Sequence, residues 1–289
     1  MNLSQPAQAA HLALRLGIIG GGVMAEAILS YLLHQDLYAA HQVIVSDISA
    51  ERRAALEQRY GIHTTSDNLA VAQAQTVILA VKPQSLSSVA AELGERLSNP
   101  PSIKEPGCEL WLSILAGVSL AQLEAVFKQS PVIRVMPNTP ATVGAGVTAL
   151  APGKAALSHH VERAEAIFGA VGEVLVVPEA WMDAVTGLSG SGPAFVAIAI
   201  EALTDGGVAA GLPRAVAAKL ALQTVRGTTE LLIQKDLHPA LLKDQVTSPG
   251  GTTIAGVASL EASGFRSALI QAVQAAYRRS QTLGRELKS

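Results

Sequence analysis

The chain has 289 residues, of which 49% are hydrophobic and 15% charged, and its net charge is −2. A near-neutral chain without a cluster of lysine and arginine lacks the charge that nucleic-acid-binding proteins need, so we expect no nucleic-acid partner. The high apolar content predicts that some surface is buried between subunits of a homo-oligomer. Cys108 is the only cysteine, which excludes an internal disulfide framework and indicates a reducing, cytoplasmic setting.

The distribution of apolar residues disfavours membrane and secreted classes. No uninterrupted apolar run reaches the roughly 18 residues of a membrane span, and the longest candidate, at 193–203, contains Glu201. Residues 1–12 lack a basic start and a long apolar core, which disfavours a signal peptide. We therefore expect a flexible tail at 1–13 and a cytoplasmic protein with no membrane partner.

In the first part of the chain, short β-rich runs alternate with helical patterns. The predicted strands are 14–19, 42–47, 76–81, 110–115, 132–136, 147–152 and 173–178, with helices such as 51–60 and 88–97 between them. Prolines at 98–107 indicate a loop. This alternation is typical of an α/β fold with a doubly wound parallel sheet, covered by helices on both faces. We assign residues 14–178 to this domain.

From about residue 179 onward, Ala- and Leu-rich helical patterns replace the β-rich runs. The predicted helices are 194–206, 213–234, 239–246, 252–262 and 264–286. The first of them is apolar nearly all the way round, which is typical of a fully buried helix. We therefore predict that residues 179–289 form a second, all-helical domain.

A glycine-rich loop separates the first predicted strand from the first helix. Gly20, Gly22 and Ala25 form a G-x-G-x-x-A motif. The first glycine allows a tight turn, the second allows the backbone to approach a pyrophosphate, and the small third residue allows helix and strand to pack closely. Because a strand and a helix flank the motif, and a helix N-terminus favours phosphate, it predicts a dinucleotide site.

The end of the second predicted strand bears on which dinucleotide binds. Asp47 stands where an acid would bond the ribose 2′-hydroxyl of NAD, whereas Ser49, Arg52 and Arg53 suit the 2′-phosphate of NADP. In the alternative, Ser49 caps the next helix and both arginines are solvated. We expect NADP as the cofactor, with NADPH preferred and NADH possible.

Segments of the second half of the chain resemble pyrroline-5-carboxylate reductases, which make L-proline in its last biosynthetic step. The segments are 134–150, 183–196, 201–214 and 238–261, and the last contains the family's signature, TSPGGTTIAG. The resemblance runs from about residue 14 to 286. It implies a Rossmann NAD(P)-binding domain and a helical dimerisation domain, in homodimers that often form a ring of five, a decamer. It also implies reduction of 1-pyrroline-5-carboxylate to L-proline.

The same resemblance implies which residues form the site. The cofactor would contact Gly20, Gly21, Gly22, Val23, Met24, Ala25, Ala80, Val81, Lys82, Pro83, Ala116 and Gly117. Asn68 is similar to the family's adenosine-side asparagine, although the neighbouring Asp67 leaves that alignment open. The substrate would lie against Ser248, Gly250, Gly251, Thr252 and Thr253. Asp236 stands where many relatives carry Glu, and its role stays open.

The turn that opens the helix at 252–262 suits a carboxylate substrate on chemical grounds. A Ser-Pro-Gly-Gly-Thr-Thr turn at a helix start offers backbone N–H donors and the positive end of the helix dipole, which together bind anions. The Thr253 hydroxyl, which can donate or accept, would hold the imine nitrogen as the catalytic group beneath the nicotinamide. The plain alternative is a helix start capped by threonine.

Other motifs keep two interpretations. The small residues at 187–194 fit either close helix packing or the approach of a helix start to the nicotinamide. Asn138 would either bond the nicotinamide region or cap a turn. The seven histidines lack metal-ligand spacing, and we expect His159 and His160 at the surface, so no metal is predicted. A regulator that binds the cofactor and senses proline without catalysis is the alternative function.

Overall fold

The computed structural model describes residues 14–98, 108–128 and 130–286. The tail predicted at 1–13 and the loop predicted at 98–107, apart from Ser98, lie outside the described residues. Contacts divide the chain into two compact units: residues up to Gly190 together with those from Arg278 onward, and Ser191–Tyr277. The predicted domain boundary at residue 178 stays a prediction.

The first unit is built on a sheet of short strands. They are β1 (Leu16–Ile19), β2 (Val43–Ser46), β3 (His63–Thr65), β4 (Thr76–Leu79), β5 (Leu110–Ser113), β6 (Val132–Met136), β7 (Gly146–Pro152) and β8 (Gly172–Val176). Within the described ranges these strands form one eight-stranded sheet, in the order β3-β2-β1-β4-β5-β6-β7-β8. Neighbouring strands run parallel except β6 and β7, which pair antiparallel. The predicted doubly wound sheet is confirmed.

Helices connect these strands in the first unit. They are α1 (Val23–His34), α2 (Ala50–Tyr60), α3 (Asn68–Val71), α4 (Leu86–Ser98), α5 (Leu120–Val126), α6 (Ser158–Gly169) and α7 (Met182–Val185). A π-helical turn follows α7 at Thr186–Gly190. The strand order reverses at β1, which has β2 on one side and β4 on the other. In sheets of this type, ligands bind at the carboxyl ends of the strands where the order reverses.

The sheet is buried on both faces. Ile18 and Ile19 are adjacent on β1 and essentially inaccessible, yet they belong to the two different core clusters. Successive strand residues point to opposite faces, so β1 reads as a continuous apolar run rather than an alternating one. On the second face, Trp111 stacks on Phe127 with ring centroids 4.3 Å apart. Each such buried side chain contributes roughly 1.5–3 kcal/mol of transfer free energy.

The second unit is helical, as predicted. Its helices are α8 (Gly192–Ala209), α9 (Arg214–Lys235), α10 (Pro239–Gln245), α11 (Thr252–Ala262) and the larger part of α12 (Phe265–Glu286). A Cβ on Gly207 would lie 3.0 Å from the Ala217 Cβ, so this glycine lets α8 and α9 approach closely. Asp236 ends α9 in the left-handed conformation, with φ of 47°. Aspartate tolerates that conformation better than most residues, which gives Asp236 a backbone role.

Most side chains of the second unit are uncovered in the single chain. The buried residues of Ser191–Tyr277 are Thr204, Ala217 and Ala221, whereas Ile198 on α8 is 64% exposed. The prediction that α8 is fully buried is therefore wrong for one chain by itself. An apolar pattern shows that a helix avoids water, but it does not show whether the cover comes from the same chain.

The helical run Glu179–Ala209 is long and apolar enough, by length and composition, to cross a membrane. It is the one such run among the residues that the structure describes, and it leaves the expectation of no membrane span a prediction. That expectation counted uninterrupted apolar residues, whereas the helical run continues through polar positions such as Thr186 and Glu201. Length and composition also fit a helix that packs on another protein surface.

Candidate active site

The first glycine of the loop makes the sharp turn from β1 into α1. Gly20 has φ of +99°, which disfavours any residue with a side chain. A Cβ there would lie 2.8 Å from the carbonyl oxygen of Ala80, directly after β4. The Gly20 N–H donates to the Ser46 carbonyl at the end of β2, at 2.8 Å. The carboxyl ends of β1, β2 and β4 therefore meet at Gly20.

The start of α1 faces open space. Gly22 is the N-cap of α1, and no side chain caps the helix there. A Cβ on Gly22 would meet nothing within 4 Å, and the neighbouring Val23 is 75% exposed. The backbone N–H groups of the first turn lie at the positive end of the helix dipole. This is the arrangement that binds a pyrophosphate.

A cavity of about 370 Å³ lies at this edge of the sheet. Its lining is Gly22, Val23, Met24, Ala25, Ala80, Val81, Lys82, Pro83, Ile114, Leu115, Ala116, Met136 and Pro137. Nine of these are cofactor residues predicted from the sequence, and they follow β1, β4 and β5. Pockets for small molecules and cofactors are roughly 300–1,000 Å³ and mostly apolar. The structure thus collects residues from distant parts of the chain into one ligand-sized cavity.

The cavity includes residues that were not predicted from the sequence, such as Ile114, Met136 and Pro137. The rule that ligands bind at carboxyl strand ends, if applied to β6 as well, would have found Met136. A Cβ on Gly190 would lie 2.7 Å from the Met136 methyl carbon. Gly190 therefore makes room for Met136, which supports the packing interpretation of the small residues at 187–194.

Asn138 holds a turn rather than presenting its amide to a ligand. It is buried, and its Oδ1 accepts from the Val147 N–H at 2.9 Å. Its Nδ2 donates to the Ser189 carbonyl in the π-helical turn at 3.2 Å. Of the two interpretations given above, the structure supports the turn, and Asn138 joins the loop after β6 to β7 and to residues 186–190.

The residues after β2 form a tight local network. Asp47 Oδ2 accepts from the Gly21 N–H at 2.9 Å, and its Oδ1 accepts from the Ser49 N–H at 2.8 Å. Ser49 caps α2, since its hydroxyl accepts from the Arg52 N–H. Arg52 and Arg53 donate to backbone carbonyls of Gly21 and Asp47, respectively. The interpretation in which both arginines are merely solvated is therefore wrong.

Asn68 and Asp67 have different roles in α3. Asp67 is the N-cap, and its carboxylate accepts from the Leu69 N–H at 2.8 Å. Asn68 is the first residue of the helix; its Oδ1 accepts from the Ser46 hydroxyl at 2.6 Å, and its Nδ2 donates to Glu92. Asn68 thus lies beside the end of β2, whereas Asp67 serves the helix. The contact of Asn68 with a cofactor stays a prediction.

Several predicted cofactor residues do not line the cavity. They are Gly20, Gly21, Asp47, Ser49, Asn68 and Gly117. Gly117 lies after β5 with φ of +79°. A Cβ on Gly284 of α12 would lie 3.1 Å from the carbonyl oxygen of Gly117. Gly20 and Gly117 thus meet a conformational demand of their turns, and their contact with a cofactor stays a prediction.

The predicted substrate residues lie together in one turn of the second unit. Gly250 has φ of +66°, and Gly251 is the N-cap of α11 with no side-chain cap. The Gly251 N–H donates to the Ser248 carbonyl at 3.1 Å. Thr252 and Thr253 are the first two residues inside the helix, so the alternative of a threonine cap is wrong. The first turn of α11 keeps its backbone donors uncapped by side chains.

In the part of the chain that the structure describes, no group of three or more His, Cys, Asp and Glu residues is placed to hold a metal ion. The surface location expected for His160 is wrong, since it is buried and its Nδ1 accepts from the Leu157 N–H at 3.0 Å. Burial lowers the pKa of His160, and the charges of His159 and Arg163 lower it further. Burial raises the pKa of the Cys108 thiol to about 12, so it stays an unreactive thiol.

Comparisons with known proteins match both parts of the chain. A family model described as pyrroline-5-carboxylate reductase dimerisation matches residues 179–283, and one described as NADP oxidoreductase, coenzyme F420-dependent, matches residues 15–103. A pyrroline-5-carboxylate reductase of Synechocystis is 55% identical over 276 residues, which cover 95% of this chain and 100% of that protein. One of Methanosarcina acetivorans is 42% identical, with 94% and 98% covered.

Solved structures agree with these relatives. A pyrroline-5-carboxylate reductase of Coxiella burnetii superimposes with a TM-score of 0.85 at 34% identity, covering 94% of this chain and 98% of that one. The pyrroline carboxylate reductase of Plasmodium falciparum, solved with NADP bound, gives 0.82 at 30% identity, covering 94% and 99%. Sequence and structure therefore agree over nearly the whole length, and the chain belongs to the pyrroline-5-carboxylate reductase family.

Proposed function

We propose that this chain reduces 1-pyrroline-5-carboxylate to L-proline with a reduced nicotinamide cofactor, the last step of proline biosynthesis. The observation that carries the proposal is the cavity of about 370 Å³, in which nine of the predicted cofactor residues converge. The relatives' names supply the reaction, an oxidoreduction of a C=N bond to a CH–NH group. The alternative, a proline sensor without catalysis, shares the cavity but needs no turnover.

The residues of the first unit fit a dinucleotide. At Gly20 a Cβ would collide with the Ala80 carbonyl, and at Gly22 a side chain would intrude into open space before α1. The first turn of α1 would bind the pyrophosphate, and Ala80–Pro83 with Ala116 and Gly117 would flank the rest of the cofactor. When bound, the reduced nicotinamide supplies the hydride that the imine carbon accepts, C2 of 1-pyrroline-5-carboxylate, which becomes C5 of proline.

We infer that NADPH is preferred and that NADH is also accepted. The Ser49 hydroxyl and the Arg53 guanidinium lie at the end of β2, where a 2′-phosphate would need a hydrogen-bond donor and a positive charge. The Plasmodium falciparum relative was solved with NADP. The Asp47 carboxylate would instead bond the ribose 2′-hydroxyl of NADH, and Asn68 would contact the adenosine.

The turn before α11 would hold the substrate. Ser248, Gly250, Gly251 and Thr252 present backbone and hydroxyl groups at the positive end of an 11-residue helix, which suits the substrate carboxylate. The Thr253 hydroxyl would hydrogen-bond the imine nitrogen and orient the ring. The nitrogen carries a proton when the imine carbon accepts the hydride, so that the product has a new C–H bond and an N–H bond in place of the C=N double bond.

The proposal includes a homodimer formed through residues 179–283, with assembly into a decamer, in the cytoplasm and without a membrane or nucleic-acid partner. The exposed apolar residues of α8, such as Ile198, support an interface between copies. The family model that matches this segment is described as a dimerisation segment. The single cysteine supports a reducing compartment.

The test follows the absorbance of NADPH and of NADH after 1-pyrroline-5-carboxylate is added to the purified protein. We expect both cofactors to be oxidised, NADPH with the higher kcat/KM, and L-proline to appear in equimolar amount by amino-acid analysis. Absence of turnover with either cofactor, together with saturable binding of proline, would overturn the proposal in favour of the sensor.

A further inference from the structure

The side chain of Arg52 reaches from α2 to the glycine loop without entering the cavity. Its Nε donates to the Gly21 carbonyl oxygen at 2.5 Å, and its Nη2 contacts Glu26 Oε2 at 2.5 Å. Glu26 lies in the first turn of α1, so one guanidinium joins the loop to the helix that the loop opens. The side chains of Arg52 and Glu26 are 29% and 19% exposed, which leaves the pair largely shielded from water.

Gly21 is also held from its other side. Its N–H donates to Asp47 Oδ2 at 2.9 Å. A Cβ on Gly21 would lie 2.8 Å from a methyl carbon of Leu56, a fully buried residue of α2. Side chains of the β2–α2 segment thus occupy both polar backbone groups of Gly21. The loop keeps its shape through Gly21 and leaves the first turn of α1 to the ligand.

Glu26 gives Arg52 a permanent anionic partner. Arg59 Nη1 and the Tyr60 hydroxyl both contact Glu26 Oε1, at 2.9 and 3.0 Å. Burial by itself would raise the pKa of Glu26, but the hydrogen bonds from Arg52 and Tyr60 and the charges of Arg52 and Arg59 lower it overall. Glu26 is therefore ionised at neutral pH, and the Arg52 guanidinium is committed to it and to Gly21.

We propose that Arg52 is a positioning residue that fixes the glycine loop for the pyrophosphate, and that it does not bind the 2′-phosphate that distinguishes NADPH from NADH. The inference rests on the proposed function, because it requires a dinucleotide at the loop. The pyrophosphate is common to both cofactors. Loosening the loop therefore weakens the binding of NADPH and of NADH to the same extent, whereas losing a 2′-phosphate contact weakens the binding of NADPH alone.

The adjacent Arg53 provides a matched control. Its Nη1 donates to the backbone oxygens of Asp47 and Ile48, at 2.7 and 3.3 Å. In the ranges that the structure describes, no carboxylate pairs with it. Its positive charge thus stands at the end of β2 without an acidic partner. We therefore expect a substitution of Arg53 to change the discrimination between NADPH and NADH and a substitution of the neighbouring Arg52 to leave it unchanged.

The experiment measures the Kd of NADPH and of NADH by nucleotide fluorescence for the wild-type protein, Arg52→Gln and Arg53→Gln. Arg52→Gln loses a charged hydrogen bond to the loop, and we expect it to raise both Kd values by the same factor, about tenfold. Its kcat should change much less than its KM for either cofactor. Arg53→Gln should raise the Kd of NADPH and leave that of NADH unchanged.

A second variant, Glu26→Gln, removes the partner charge but keeps Arg52, and it covers the case in which Arg52→Gln does not fold. It should also raise both Kd values by one common factor, with wild-type circular dichroism. A rise confined to NADPH in Arg52→Gln would overturn the proposal, as would unchanged Kd values in both variants. Failure of the proposed function would show separately, as nucleotide binding without turnover of 1-pyrroline-5-carboxylate.

Discussion

Gly20, Gly21 and Gly22 are consecutive, yet the neighbours of each make a different demand on it. Gly20 meets a conformational demand, since its φ is +99° and Ala80 lies against it. Gly21 meets a packing demand set by Leu56, whereas a side chain on Gly22 would contact no part of the protein within 4 Å. The chain's own contacts account for the first two glycines, whereas we expect the proposed cofactor to account for the glycine at position 22.

Thr253 supplies the one hydroxyl on which the proposed chemistry depends. Thr253→Val keeps the shape of the side chain but removes the group that would hydrogen-bond the imine nitrogen in the transition state. We expect kcat/KM for 1-pyrroline-5-carboxylate to fall by about 10²-fold, with the Kd of NADPH unchanged. Steady-state kinetics and nucleotide binding measure the two quantities.

The conservative variant Thr253→Ser retains the hydroxyl and serves as the matched control. It should lose less than a tenth of the activity that Thr253→Val loses. If Thr253→Val has wild-type kcat/KM and wild-type circular dichroism, Thr253 does not act on the imine nitrogen. An equal loss in both variants would contradict a role of the hydroxyl alone, because Thr253→Ser keeps the hydroxyl and lacks only the methyl group.

His160 predicts a pH dependence of stability. Its neutral Nδ1 accepts from the Leu157 N–H at the start of α6, and burial holds its pKa below the ordinary 6.5. Between the two pKa values the unfolded chain binds more protons, so stability rises with pH there. The contribution is fully present above pH 6.5 and is lost as the pH falls through the lowered pKa. The denaturant midpoint of the wild type should drop between pH 7.5 and 5.5.

His160→Gln tests this assignment, because a glutamine three residues after the cap also accepts from the Leu157 N–H but does not titrate. The fall of its midpoint with pH should be smaller than that of the wild type at the same protein concentration. His159 is exposed, and His159→Gln should keep the wild-type dependence. If His160→Gln follows the wild-type pH profile, the titrating group lies elsewhere.

At the scale of elements, α2 links the end of β2 to the glycine loop. Ser49 caps it just after β2, and its side chains Arg52 and Leu56 lie against Gly21. Ser49 begins it and Gly61, with φ of 65°, ends it. Arg52 and Leu56 are three and seven residues after Ser49, so they share one helical face with it and both reach Gly21. A shift of α2 along its axis would therefore move Gly21 with it.

Ser49→Asp separates the structural role of Ser49 from its proposed role toward NADPH. Aspartate caps helices as well as serine does, so thermal stability should stay within about 0.5 kcal/mol of the wild type. Its negative charge repels a 2′-phosphate, and the KM for NADPH should rise at least tenfold while that for NADH is unchanged. Steady-state kinetics with each cofactor measures this discrimination.

Ser119 caps α5 in the same way, through a bond from the Gln122 N–H at 3.3 Å, and gives the control. Ser119→Ala should cost about 1 kcal/mol of stability and leave the ratio of the two KM values unchanged. A Ser49→Asp protein with the wild-type ratio would show that Ser49 serves only as a cap.

The periodicity of the sequence predicts most elements of the fold, because buried parallel strands and helices repeat apolar residues with different spacings. Strand β3 was not predicted, because its three residues, His63–Thr65, are too few to show a periodic pattern. The glycines of the loop were predicted because the backbone itself meets the demand there, as the φ of +99° at Gly20 and the open space at Gly22 show. Met136 was not predicted, and Arg52 was predicted as a 2′-phosphate ligand or a solvated side chain rather than as a partner of Gly21, because the contacts of both residues join segments far apart in the sequence.

At the scale of the whole molecule, the two units differ in how they exclude water. The first unit buries its core under both faces of a sheet, whereas the second leaves apolar side chains such as Val196, Ile198 and Leu203 at least half exposed. A soluble monomer rarely exposes a large contiguous apolar patch. Either another copy of the chain or a lipid bilayer must cover α8, and the two covers predict different behaviour in solution.

Ile198→Lys distinguishes these covers. We expect the wild-type protein to remain in the supernatant without detergent and to sediment as a dimer or larger, because α8 packs against a second copy. A lysine at a position 64% exposed in one chain would place a charge in that interface, and the variant should dissociate at concentrations at least tenfold higher in analytical ultracentrifugation.

Leu157→Lys, at a residue 59% exposed in the first unit, is the control and should not change the assembly. Recovery of the wild type only from the membrane pellet with detergent would instead assign the run Glu179–Ala209 to a bilayer, and an unchanged assembly of Ile198→Lys would remove α8 from the interface.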